Sequence, residues 1–180
     1  MHEPSTALLR NSALGILAFC FVSSNFGQAQ TWKTYSYPDE GFSASYPAQP
    51  NADKQDVPTA AGTFQMRSYL VETDSAAFYI AVIDYGSAAS VGDPQERLQG
   101  GKNGALANTN SHLIREKKIT LGVYPGIEFE SENASAHFYA RIYIVGDTLY
   151  QTLVVSPVGK PNDDTLRFLD SFQLIARVGK

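Results

Sequence analysis

The stretch RIYIVGDTLYQTLVV, residues 141–155, decides the fold of this 180-residue chain. Two runs rich in β-branched and aromatic residues flank the dipeptide Gly146-Asp147. A glycine-containing dipeptide between such runs is typical of a two-residue β-hairpin loop. A loop at this position places Tyr143 opposite Tyr150. We therefore expect two long antiparallel strands joined by a tight turn.

Both faces of the predicted hairpin are largely apolar. Side chains alternate between faces along a strand, so one face holds Phe138, Ala140, Ile142, Ile144, Leu149, Gln151, Leu153 and Val155. The other face holds Tyr139, Arg141, Tyr143, Val145, Thr148, Tyr150, Thr152 and Val154. A sheet that is apolar on both sides must be covered on both sides. The hairpin is therefore predicted to lie inside a layered domain.

The flanking sequence supplies further strands. Alternating or continuously apolar strand patterns occupy residues 41–47, 64–72, 76–85, 111–121, 125–132 and 172–176. The alternation near the start of the fourth of these strands places Leu113 and Arg115 on one face. Residues 31–38 are predicted to be an aromatic lead-in that Trp32 anchors to the body. Residues 48–61 are polar and contain prolines, and we expect a loop there.

A first helix is predicted over residues 93–107. Asp93 can cap the helix, Pro94 suits its first position, and Glu96 completes a capping box. Each glycine inside a helix weakens it by ~1 kcal/mol relative to alanine, and this helix contains Gly100, Gly101 and Gly104. We therefore expect a short or frayed helix.

A second helix is predicted over residues 162–170, with Asn162 or Asp163 as its cap. Its apolar face is expected to hold Leu166, Leu169 and Phe172, which follow at helical spacing. The expected fold class is α+β. It consists of an antiparallel sheet of about six to eight strands covered by two helices, similar to an α/β/α sandwich.

Five segments follow one another in an order that resembles the PsbP-like fold. They are an aromatic lead-in from Trp32 to Tyr37, then GFSASYP, YPGIEFE, RIYIVGDTLYQTLVV and FLDSFQL. The resemblance covers most of residues 32–176, and its motifs are structural. It implies an α/β/α sandwich around an antiparallel sheet. Members of that fold include photosystem-associated lumenal proteins and a Ran-binding protein, so the resemblance implies no single function.

Residues 1–29 have the order of a secretory signal peptide. Arg10 supplies a positive n-region, residues 13–22 form an apolar h-region, and small residues precede a cleavage site between Ala29 and Gln30. The apolar run is shorter than the roughly 20 residues of a transmembrane helix. We therefore expect export by a bacterial-type signal peptide, to the periplasm or the medium.

A different processing route remains open at Cys20, the sole cysteine of the chain. The sequence LAFC, residues 17–20, resembles the lipid-attachment site of bacterial lipoproteins, but Phe19 stands where that family has a small residue. Cleavage after Ala29 instead leaves one cysteine-free domain, residues 30–180. Such a domain has neither disulfide nor thiol chemistry.

The charge of the chain argues against two classes of partner. The formal net charge is −4 at pH 7 and the sequence pI is about 5.3, with the lysines and arginines scattered. This pattern lacks the basic patch of a nucleic-acid-binding domain. It also lacks the polybasic cluster that holds a protein on an anionic membrane. We expect no nucleic-acid partner and no stable membrane span after signal cleavage.

The sequence contains no recognisable catalytic motif. It has no GxSxG or HExxH motif, and only His112 and His137 follow the signal peptide. The glycine-rich GGKNG, residues 100–104, lacks the spacing of a Walker loop. We predict a non-enzymatic protein without cofactor or metal. The alternative is a carrier or enzyme with a pocket between the sheet and helix 93–107, whose glycines would let it move as a lid.

Three glutamates alternate along residues 125–132, namely Glu128, Glu130 and Glu132. Like charges on one face repel each other when they are buried. This segment is therefore predicted to be a solvated edge strand. The alternative is a face that binds a cation or a basic partner.

The best candidate for a contact surface is the second face of the hairpin. There Tyr139, Tyr143 and Tyr150 surround Arg141. An arginine among tyrosines is either a recognition patch or an arginine stacked at the boundary of the core. We predict that this face binds another protein or a component of the cell envelope.

Overall fold

The computed structural model describes residues 31–59, 62–86, 93–159 and 163–178. The predicted signal peptide, Cys20 and the cleavage site between Ala29 and Gln30 lie outside these residues. Asn162, one of the two predicted caps of the second helix, also lies outside them. The described residues form ten β-strands and two α-helices.

The strands form two antiparallel sheets. In chain order they are β1 (Lys33–Tyr37), β2 (Phe42–Tyr46), β3 (Asn51–Thr59), β4 (Gly62–Glu72), β5 (Ala77–Asp84), β6 (His112–Leu121), β7 (Tyr124–Glu132), β8 (Ala136–Val145), β9 (Thr148–Pro157) and β10 (Gln173–Leu174). The main sheet has seven strands in the order β3-β4-β5-β9-β8-β7-β6, and the small sheet has the order β1-β2-β10. Helix α1 (Pro94–Thr109) follows β5, and helix α2 (Thr165–Ser171) follows β9. The predicted α+β fold class is confirmed.

The hairpin predicted from residues 141–155 is confirmed, and it lies in the interior of the main sheet. Tyr143 of β8 is opposite Tyr150 of β9, and the two strands continue to the turn. Gly146 has a φ of 57°, a left-handed value that glycine adopts without strain and that the first central residue of such a turn requires. β5 pairs with β9 and β7 pairs with β8, so the rest of the sheet is built outward from this hairpin.

Both faces of the main sheet are covered, as predicted. On one face Leu98 of α1 packs in a cluster with Ile142 and Leu149. On the other face Phe168 of α2 and Phe42 of β2 pack in a second cluster that includes strands β4, β5, β8 and β9. The small sheet is thus part of the second cover. The sequence predicted helices and loops as covers but not this second sheet.

Helix α1 begins where it was predicted. The Asp93 side chain accepts a hydrogen bond from the Gln95 N–H at 2.8 Å, and Pro94 is the first helical residue. The helix continues two residues beyond the predicted end and stops at Asn110, which has a φ of 47°. Helices commonly end in this left-handed conformation, most often at a glycine and sometimes at an asparagine.

The loop predicted over residues 48–61 is wrong, because most of this segment forms the edge strand β3. β3 pairs with β4 from Asn51 opposite Leu70 onward. Its side chains are mostly exposed, so no apolar alternation marks it in the sequence. Pro58 is compatible with this assignment because an edge strand tolerates a missing N–H group.

The predicted shared face of Leu113 and Arg115 is also wrong. Leu113 is opposite Ser131 and Arg115 is opposite Glu130, so the strand register shifts by one residue at Ile114. This β-bulge reverses the alternation of β6. Arg115 therefore lies on the same face as Glu130, whereas Leu113 belongs to the opposite face.

Helix α2 starts at Thr165, later than predicted, and it presents a different face to the core. Thr165, Phe168 and Leu169 are buried, at the i, i+3 and i+4 positions of one helix face. Leu166 is 63% exposed, so its predicted place on the inward face is wrong. The exposed Leu166 is important for the site described next.

Candidate functional site

The three glutamates of β7 lie inside the main sheet and not at its edge. β7 pairs with β6 on one side and with β8 on the other. Ile127 and Phe129 point toward α1, so Glu128, Glu130 and Glu132 lie on the face that α2 covers. The predicted solvated edge strand is therefore wrong. We call these three glutamates and the basic side chains beside them the glutamate ladder.

Glu128 is held from both neighbouring strands. Its carboxylate is 2.9 Å from Nζ of Lys117 on β6 and 2.7 Å from Nε of Arg141 on β8. Burial alone would raise the pKa of Glu128, but the hydrogen bonds from Lys117 and Arg141 outweigh it, and the pKa is lowered. Nη1 of Arg141 also lies 2.7 Å from Asp170 of α2. Arg141 thereby joins the sheet to the helix that covers it.

Glu130 and Glu132 have similar partners from both sides. Glu130 is paired with Arg115 of β6, and its other oxygen lies 3.5 Å from Nε2 of His137 on β8. Glu132 lies 3.3 Å from His112 and 3.7 Å from His137. Glu128 and Glu130 therefore each have a lysine or arginine partner from a neighbouring strand, whereas Glu132 has only imidazoles beside it and is more exposed. The cation partners of Glu128 and Glu130 explain how these two carboxylates lie side by side on one interior strand.

A cleft of about 240 Å³ lies between the glutamate ladder and α2. It is lined by Arg115, Glu128, Phe129, Glu130, Tyr139, Thr165, Leu166 and Leu169. The exposed Leu166 supplies aliphatic surface, and the half-buried Tyr139 supplies an aromatic ring. The hydroxyl of Thr165 is buried and has no hydrogen-bond partner among the described residues. The cleft therefore combines charged, aromatic and aliphatic groups, as binding sites do.

The structure separates the four residues predicted to form a contact surface. Tyr143 is 4% exposed and stacks on Phe172, and Tyr150 is 2% exposed and donates a hydrogen bond to the Glu40 carbonyl at 2.6 Å. Burial raises the pKa of both tyrosines. These two residues belong to the core and cannot meet a partner directly.

The other two predicted residues lie in or beside the cleft. Arg141 belongs to the glutamate ladder, where it binds Glu128. Tyr139 lines the cleft, and its ring stacks on His137 with 4.4 Å between ring centroids. The sequence did not identify Arg115 and Leu166 as site residues. The β-bulge at Ile114 places Arg115 on this face of the sheet, and the orientation of α2 on the sheet leaves Leu166 exposed. Neither feature can be recognised from the spacing of apolar residues in the sequence.

The face of the sheet beneath α1 is closely packed. A Cβ atom on Gly101 would lie 3.0 Å from Leu149 and 3.3 Å from Ile142. At the outer edge, Lys102 of α1 pairs with Glu116 of β6 at 2.5 Å. The cleft lies on the other face of the sheet. This geometry gives little support to a pocket with α1 as a lid.

Among the described residues, no group of three or more His, Cys, Asp or Glu side chains is arranged to hold a metal ion. Neither α1 nor α2 has the length and apolar character needed to cross a membrane.

A solved structure has a similar topology. The chain is similar to the solution structure of cyanobacterial PsbP (CyanoP) from Synechocystis sp. PCC 6803, with a TM-score of 0.53 over 85% of this chain and 98% of that chain. The chain has a PsbP-like fold. This confirms the structural resemblance inferred from the sequence, and at 12% identity the PsbP-like likeness concerns the fold alone.

Other comparisons add little to the PsbP-like assignment. A crystal structure from Bacteroides thetaiotaomicron VPI-5482 matches with a TM-score of 0.40 and 13% identity, over 79% of this chain and 48% of that chain. No protein-family model and no curated protein matches the chain.

Proposed function

We propose that this protein is an exported, non-enzymatic binding module for another protein or a component of the cell envelope. The observation that carries the proposal is the cleft between the glutamate ladder and α2. A large aliphatic side chain, Leu166, is 63% exposed beside Tyr139 at this cleft. Aromatic residues and arginine are enriched at protein interfaces, and Tyr139 and Arg115 line this cleft together.

The rigid surroundings of the cleft support a binding role. The floor is β-sheet, with Glu128 and Glu130 held by ion pairs from two neighbouring strands. The wall is α2, fixed to the sheet by Arg141 and by the buried Phe168 and Leu169. A preformed site of this kind loses little conformational entropy when it binds a partner.

Export is part of the proposal and is supported by the sequence of residues 1–29. N-terminal sequencing of the mature protein after expression in a bacterial host tests it, and a start at Gln30 is expected. A mature chain that starts at Cys20 with a covalently attached lipid would replace this route by lipid anchoring. The carrier or enzyme with a pocket under α1 is the remaining alternative.

Site-specific photo-crosslinking in the source cell tests the contact surface. Leu166 is replaced with benzoylphenylalanine, and the matched control carries the same group at Val123, which is 88% exposed in the β6–β7 turn. We expect a discrete adduct from position 166 that is absent from position 123. Identical adducts from both positions, or none from position 166, would exclude the cleft as the contact surface.

A further inference from the structure

The carboxylate of Glu130 is largely buried in the cleft, but its cation partner is not. The Glu130 side chain is 14% exposed, whereas the side chain of Arg115 that binds it is 66% exposed. The hydrogen bond to Glu130 raises the pKa of Arg115 above its ordinary value. A guanidinium of the chain itself thus covers a largely buried carboxylate from the solvent side.

The walls beside Glu130 fit a long side chain that ends in a cation. The exposed Leu166 offers an aliphatic surface, and Tyr139 offers an aromatic ring. Arginine side chains lay their methylene groups along apolar surface, and their guanidinium groups interact favourably with aromatic rings. The unpartnered hydroxyl of Thr165 in the same wall is a hydrogen-bonding group that the chain leaves unsatisfied.

We infer that the cleft binds the guanidinium of an arginine side chain from a basic partner, which replaces Arg115 at Glu130. This inference rests on the proposed function and specifies the chemistry of the same site. Arg115 shows that a guanidinium fits against this carboxylate. Lys117 and Arg141 remain paired with Glu128, so displacing Arg115 removes the arginine partner of Glu130 and frees that carboxylate for an incoming cation.

The whole-molecule charge and the weakness of the internal pair favour such an exchange. The chain has a net charge of −4, which attracts a basic partner over long range. An ion pair with one highly exposed member contributes little to stability, because solvent screens it and the side chain loses entropy. The partner's arginine therefore competes with a weakly held group, and Glu130 keeps a charged partner in both states.

The test is a titration of the full chain with N-acetyl-arginine methylamide, followed by NMR or calorimetry. The uncharged citrulline analogue, which has nearly the same shape, is the ligand control. We expect binding of the arginine compound and none of the citrulline compound. Arg115→Ala is expected to tighten binding by about fivefold, because the competing guanidinium is gone.

Lys118→Ala is the matched protein control, because it removes the same charge from the same strand. Lys118 is exposed and opposite Ile127, on the face away from the glutamate ladder. Its effect on binding is expected to be less than about twofold, since only long-range screening changes. Glu130→Gln is expected to abolish binding, with its thermal unfolding recorded to verify the fold.

Two results would overturn the inference. One is equal binding of the arginine and citrulline compounds. The other is an affinity of Arg115→Ala that is unchanged or no higher than that of Lys118→Ala. If either occurs while position 166 still crosslinks a partner, the cleft binds a different group and only the guanidinium is excluded. If position 166 gives no adduct either, the proposed function fails as well.

Discussion

Arg141 is the residue that joins most of the site together. Its guanidinium binds Glu128 on β7 and Asp170 on α2, and its side chain is only 15% exposed. An arginine can make both contacts at once because its donors are arranged in a planar fork. The sequence predicted Arg141 as part of a contact surface, and its geometry gives it a structural role that joins β7 to α2 beside the cleft.

Arg141→Ala is expected to lower the free energy of unfolding by about 1–3 kcal/mol, because a largely buried carboxylate loses one of its two cations. Chemical denaturation of the mature chain measures this change. Lys118→Ala is the control and is expected to stay within about 0.5 kcal/mol of the parent protein, as most exposed substitutions do. Equal stability of the two variants would show that Arg141 does not secure α2 to the sheet.

At the scale of elements, α1 contains glycines in two different environments. A Cβ atom on Gly104 would meet nothing within 4 Å, whereas one on Gly101 would lie 3.0 Å from Leu149. Gly101 therefore lets the helix approach the β8–β9 hairpin closely. Gly104 has no such contact, and there glycine only adds conformational freedom to the unfolded chain.

Gly104→Ala is expected to raise the free energy of unfolding by about 0.4–1 kcal/mol. Gly101→Ala lowers the conformational entropy of the unfolded chain in the same way. In the folded state, however, its methyl group crowds Leu149 and Ile142, and overpacking a core is destabilising. We expect Gly101→Ala to be less stable than Gly104→Ala in thermal or denaturant unfolding. A gain of equal size at both positions would show that α1 has room to move away from the sheet.

Elements with a local chemical signal were predictable, and elements without one were not. The β8–β9 hairpin follows from Gly146-Asp147, and the start of α1 follows from Asp93-Pro94. The sequence does not predict β3, because a mostly exposed edge strand lacks the alternation of apolar and polar residues that marks a half-buried strand. The inward face of α2 was misjudged because Leu166 and Phe168 are both apolar, and only the tertiary arrangement decides which of them is buried.

At the scale of the whole molecule, the two sheets share one hydrophobic core. Phe42 of the small sheet lies 5.3 Å from Tyr69 and 6.3 Å from Tyr150, both of the main sheet, measured between ring centroids. The sequence predicted that the sheet needs a cover on each face. It could not predict that β2 pairs with β10, because that contact joins segments far apart in the chain. The candidate site has the same origin, since its cleft exists only where α2 returns to the glutamate ladder.

Because the core is shared, the small sheet is expected to unfold together with the main sheet. Trp32 is the only tryptophan and packs edge-on against Phe78 of β5, 5.2 Å between ring centroids, just before β1 begins. Its fluorescence therefore reports the junction between the lead-in and the main sheet, whereas far-UV circular dichroism reports all strands and helices. For a domain with one core the two denaturation curves should coincide. A fluorescence transition at clearly lower denaturant would mean that β1 and its neighbours detach first, and that the small sheet is an independent cover over a separately stable seven-stranded sheet.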